Sequence, residues 1–177
     1  MNGIRKEKPK NNVGVVQKKR EYIWFSIALT SIVVVGCWIL LKKKQPKVDL
    51  KKFDSPDLPG SGVCMDKKLI KMLLQLQNKS GYPVFDNINS GARTAYWNKK
   101  VGGVSNSSHK IPTCKAVDIH TPTKSIRNKI VVIAKLVGFK RIGVGKTFVH
   151  LDNDHTKRQN IAWGYPSGAK PPINPFI

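Results

Sequence analysis

The stretch from Ser105 to Asp152 opens with Ser107-Ser108-His109, passes through Ala116-Val117-Asp118-Ile119 and closes with Phe148-Val149-His150-Leu151-Asp152. Its last two segments are short, β-branched and aromatic, so each reads as a strand whose alternate side chains share a face. Val117 and Ile119 then enter a core while Asp118 points away from it, and Phe148 shares a face with His150 and Asp152. Two such strands present Asp118 and His150 to one cleft. With His109 they form a set of the kind that holds zinc through three protein ligands and leaves a fourth position for water. Two histidines and an aspartate scattered along a chain are ordinarily unrelated residues, so the trio alone carries little.

The residues upstream add weight. Ser90-Gly91-Ala92-Arg93, then Asn98, then Val101-Gly102-Gly103-Val104 precede the trio. In this order the segment from about Met65 to Trp163 resembles the zinc D-Ala-D-Ala carboxypeptidase and L-alanyl-D-glutamate endopeptidase family, whose members cleave peptidoglycan stem peptides. That family runs S-G-x-R, N, V-G-G, S-x-H, A-x-D and F-V-H-x-D, and each motif has its counterpart here. The resemblance implies Zn2+ on His109, Asp118 and His150, with Arg93 meeting a substrate carboxylate or carbonyl oxygen and Ser107 entering the substrate site.

Three departures stand out. The loop from His109 to Asp118 holds the eight residues Lys110 to Val117; it is about two residues longer than the family pattern, which a surface loop absorbs at little cost. Cys114 stands where the family has a glycine. Many members also carry the catalytic acid three residues before the last His, where this chain has Thr147. A hydroxyl does not accept a proton near neutrality, so Asp152, on the His150 face of its strand, is the candidate general base, with His155 and His120 behind it. The alternative for Asp152 is to orient a ligand histidine.

The 177 residues carry 32 Lys and Arg against 10 acids, a formal net charge of +22. That excess favours polyanions, among them anionic wall polymers, lipid and nucleic acid. No helix-turn-helix, zinc-finger or aromatic RNA-binding signature accompanies it, so nucleic acid is the least supported of these.

Residues 1–21 read as a basic disordered tail. Tyr22 to Leu41 run without a charge, and at about 1.5 Å per residue they make a helix of about 30 Å, a transmembrane length. Lys18 to Arg20 and Lys42 to Lys44 flank this run closely and argue against a core helix. Val34-Val35-Gly36-Cys37 also resembles a lipoprotein cleavage box, although the apolar run continues past it. Both flanks are basic, so charge does not set the orientation. A peptidoglycan substrate implies a single-pass membrane protein with its catalytic domain outside the cytoplasm.

Residues 42–63 read as a charged, Pro- and Gly-containing linker, residues 64–165 as the zinc peptidase-like domain, and 166–177 as a Pro-rich tail. Within the domain, Asp66 caps a helix to about Asn78, Val84 to Ile88 reads as a strand, and Ser125 caps a helix to about Val137 with Leu136 among its inward residues. Arg141 to Val144 form a hairpin with the His150 strand, and Ile161 to Trp163 add another strand. The expectation is an α+β domain, a small antiparallel sheet with packed helices around a zinc cleft, preceded by one transmembrane helix. Cys64 and Cys114 can pair or stay free, and Cys114 is a rival metal ligand. A basic wall-binding module on the same fold, bacterial or viral and without turnover, is the alternative function.

Overall fold

A computed structural model describes residues 47–165 and Phe176. The expected tail 1–21, the apolar run 22–41 and all of 166–177 except Phe176 lie outside the described residues. Among the described residues no helix is long and apolar enough to cross a membrane.

Five strands form one sheet in the order β1-β2-β4-β3-β5. They are β1 (Ile88–Ser90), β2 (Ala116–His120), β3 (Arg141–Val144), β4 (Phe148–Asp152) and β5 (Ile161–Gly164). The β1–β2, β2–β4 and β3–β4 pairs are antiparallel, but β5 runs parallel to β3, so the sheet is mixed and not wholly antiparallel as expected. The reason is a crossing. The chain leaves β4 at the end where β3 begins, passes β3, and starts β5 at that same end: Arg141 pairs with both Asp152 and Ile161.

Helix α1 (Lys67–Ser80) begins where Asp66 accepts a 2.8 Å bond from the Leu69 N–H and ends at Gly81, whose φ is +66°. Its apolar stripe, Leu69, Met72, Leu73 and Leu76, is buried. Helix α3 (Lys124–Val137) is capped by Thr123 and not by Ser125, because Thr123 Oγ1 accepts from the Ile126 N–H at 3.2 Å. Ile130, Val131 and Ala134 are buried, but Leu136 is 71% exposed. It lies about 200° round the helix from Ala134, off the buried stripe. A short helix not foreseen, α2 (Ala95–Lys100), is capped by Thr94. Val84–Asn87 is a 3-10 turn and not a strand. Pro83 starts that turn by accepting from the Asp86 N–H at 3.1 Å, so extended backbone begins only at Ile88.

Residues 42–46 of the expected linker lie outside the described residues, and from Val48 onward the rest belongs to the compact unit of the domain. Phe53 is fully buried and meets Phe85 edge-on, ring centroids 6.2 Å apart. Its carbonyl accepts from the Ala92 N–H at 2.8 Å. Asp54 gathers the following turn, accepting from the Gly60 and Gly62 N–H groups at 2.8 and 2.6 Å. Composition misleads here because a few anchors suffice to seat a polar strap.

Cys64 and Cys114 form a disulfide. This removes Cys114 from the candidate ligands and accounts for the departure from the family pattern. Cys114 has φ +44°, the left-handed backbone for which glycine is usually chosen, and a cystine holds it there.

Candidate metal centre

Strands β2 and β4 pair Asp118 directly with His150, and the loop before β2 carries His109 to the same point. Asp118 Oδ1 lies 2.8 Å from His150 Nδ1 and 3.2 Å from His109 Nε2, and the two ring nitrogens are 3.1 Å apart. These three atoms form a triangle. A tetrahedral ion with bonds of about 2.0–2.1 Å to its ligands has edges of about 3.3 Å, close to the triangle present.

Hydrogen bonds on the far side of each ring select the tautomer. His109 Nδ1 is 2.7 Å from the Gly91 carbonyl oxygen, which can only accept, so Nδ1 carries the proton and Nε2 offers its lone pair. On the other ring, His150 Nε2 is 3.1 Å from Asp152 Oδ2, so that nitrogen donates and Nδ1 faces the triangle. Outer partners of this kind orient metal-binding histidines and raise their basicity. Gly91 is a glycine for a steric reason: a Cβ there would stand 2.6 Å from Phe53 Cβ and 2.7 Å from Phe53 backbone atoms.

The electrostatics suit a cation. Burial alone would raise the Asp118 carboxyl, but the adjoining His109 and His150 outweigh it and hold the group well below the usual carboxylate range. Burial lowers the His109 pKa despite the opposing pull of Asp118. Burial also acts to lower His150, yet its hydrogen bonds to Asp118 and Asp152 prevail and raise it. All three residues are buried.

Three of the expected site residues also make contacts within the protein. Asp152 meets the His150 ring at Nε2, 3.1 Å from its Oδ2, on the edge away from the ligand nitrogen Nδ1. Both its oxygens are within 3.0 Å of Arg141 Nε, and Oδ1 also accepts from the Asp154 N–H at 3.1 Å. Arg93 is largely committed within the protein. Its Nη2 donates to Asp118 Oδ2 and its Nε to Ser90 Oγ at 2.8 Å, so it clamps the aspartate ligand. Ser107 lines the cleft, and its hydroxyl accepts from the His109 N–H at 3.3 Å, bracing the loop. The two other base candidates fall outside the cleft. His155 is exposed on a separate cavity, and His120 lies at the far end of β2, paired with Phe148.

Sequence reading missed Arg141, Trp163 and Tyr165. The rings of Trp163 and Tyr165 stand with centroids 5.5 and 6.3 Å from that of His150, closing one side of the centre. Burial and the charge of Asp118 raise the Tyr165 pKa, so its hydroxyl stays a donor. Gly143, opposite His150 on β3, makes room for them: a Cβ there would come within 2.9 Å of both rings. Counting the β3–β4 hairpin back from its turn pairs Arg141 with Asp152, a signal present in the sequence; the two aromatics gave none.

No curated protein and no solved structure matches the chain. The family model described as Peptidase M15 matches residues 50–152, more than half of the chain. The matched span takes in the buried Phe53 strap, all three metal-ligand candidates and the Asp152 that orients one of them, and the chain belongs to the M15 family of zinc peptidases.

Proposed function

We propose that this zinc peptidase is anchored in a membrane by residues 22–41 and hydrolyses peptide bonds in peptidoglycan stem peptides outside the cytoplasm. The observation that carries the peptidase reading is the triangle of His109 Nε2, Asp118 Oδ1 and His150 Nδ1, with each ring nitrogen freed by an acceptor behind it. The family supports peptidoglycan as the substrate. The Cys64–Cys114 disulfide supports an oxidising compartment.

Zinc, when bound, polarises the scissile carbonyl and brings the pKa of a water to about 7. The protein's own groups prepare the site. His109 and His150 hold the Asp118 carboxyl well below its usual range, and Arg93 donates to its Oδ2. Asp152 and Gly91 fix the rings, and Trp163 and Tyr165 shield the centre from solvent. Tyr165, which lines the cleft, keeps its hydroxyl proton and can donate a hydrogen bond to a developing oxyanion.

A wall-binding role without turnover is favoured by one observation: among the described residues, Asp118 and Asp152 are the acids that line the cleft, and both are engaged. Incubating the zinc-loaded full chain with purified peptidoglycan separates the two. New amine termini support hydrolysis, whereas sedimentation with the wall and no cleavage supports the binding module. Stoichiometric zinc in the wild type and its loss in His150→Ala check the centre itself.

A further inference from the structure

A second cavity adjoins the metal cleft. The cleft has a volume of about 390 Å³ and reaches from the centre past Ser107 to Lys157 and Tyr165. The second has a volume of about 370 Å³ and is walled by Lys52, Asn89, Ser90 and Trp97. Arg93, Val101, Asp118 and Phe148 border both, so the two meet at the aspartate ligand. Each alone falls within the roughly 300–1,000 Å³ of sites that hold a small ligand. The metal centre is therefore flanked by usable volume on two sides.

A peptidase that removes one terminal residue needs the opposite arrangement: a small closed subsite ending in a cation free to take the substrate carboxylate. The cations on these two cavities each hold a protein acceptor already. Arg93 donates to Asp118 and Ser90, Arg141 to Asp152 and the Arg158 carbonyl, Lys157 to the Asn106 carbonyl and Lys52 to Asp86. What the second arm offers is surface for a longer chain. Trp97 gives an aromatic wall steadied by Lys100, whose Nζ lies 4.7 Å from the ring centroid, and Asn89 and Ser90 give polar contacts beside it.

We propose that the two cavities form one through-groove in which a stem peptide lies on both sides of the metal centre, so that the enzyme cuts an internal bond and not the terminal D-Ala. The proposal rests on the reading of the chain as a peptidoglycan peptidase. The arm beyond Asp118 is then a binding subsite, with Trp97 a specificity residue that touches substrate away from the reacting bond.

The test gives the zinc-loaded full chain, in detergent, disaccharide pentapeptide and disaccharide tetrapeptide, the latter lacking the terminal D-Ala, with products identified by mass spectrometry. Internal cleavage of both at comparable rates supports the groove. Release of free D-Ala from the pentapeptide, with the tetrapeptide untouched, overturns it while leaving the peptidoglycan reading intact. No product from either overturns both. An activity-free arm measures binding of the tetrapeptide to the metal-free chain. Trp97→Ala should weaken that binding about tenfold, and Asn89→Ala should weaken it in smaller measure. Unchanged affinity in both variants overturns the subsite.

Discussion

Replacing Asp152 by Asn separates holding a ligand from moving a proton. In the structure its two oxygens serve three donors, Arg141 Nε, His150 Nε2 and the Asp154 N–H. An amide keeps one acceptor oxygen and turns the other into a donor, so the ring and the guanidinium cannot both keep a partner. Asp152 is 1% exposed, and Arg141 is left facing a neutral group in a largely buried place. Losing one member of such a pair costs about 3–5 kcal/mol of folding stability. Losing the orienting acceptor of a metal-bound histidine lowers metal affinity about 10- to 100-fold, or about 1.4–2.7 kcal/mol. Denaturant unfolding of the metal-free variant reads the first quantity and competition with a chelating dye reads the second. Zinc affinity within about twofold of wild type together with abolished turnover would refute the orienting role. Only a carboxylate acting on the attacking water leaves that signature.

Gly91→Ala pushes a methyl against the Phe53 backbone, and should cost about 1–3 kcal/mol of stability. It should also weaken zinc binding through the displaced carbonyl, so an affinity equal to wild type would contradict the His109 bond. Reducing the disulfide that spans 50 residues of sequence should remove about 4 kcal/mol, seen as a lower denaturant midpoint with reductant; no change would contradict it. Zinc and a proton compete for His150 Nδ1, and the raised pKa of that ring extends the competition above pH 6.5. The stability that protonated His150 gives the metal-free chain is full below about pH 6.5 and fades as pH rises through its folded pKa. Zinc affinity should accordingly climb with pH beyond about 6.5 before levelling. A dye titration showing it flat from about pH 6 upward would refute this.

What could be read from the sequence followed from local rules. Asp66 and Gly81 bracket α1 by capping and left-handed geometry, and strand alternation set Asp118 and His150 on one side with Val117 and Ile119 in the core. The rest depended on contacts between distant parts. Nothing near Phe53 says that it will cover Gly91, and nothing near Asp152 says that Arg141 will occupy both its oxygens. Trp163 joined the site because β5 crosses past β3, a choice made by the loop and not by the strand. The placement of Asp152 was hidden for the same reason. Sharing a strand face with His150 brings a carboxylate near the ring, but which edge of the ring it meets depends on side-chain packing.

The Phe53 strap also sets where this domain can be cut. A fragment starting at Val63, where the composition changes, would lose Phe53 and with it the acceptor of the Ala92 N–H. It would also leave the tight space over Gly91 empty, beside the carbonyl that aims His109. Such a fragment would keep every metal ligand and every family motif and still lack part of the scaffold that orients the first of them. A fragment faithful to the fold starts no later than Val48, and any soluble version intended for metal or substrate measurements has its N-terminal limit set by an aromatic side chain far from the chemistry in sequence.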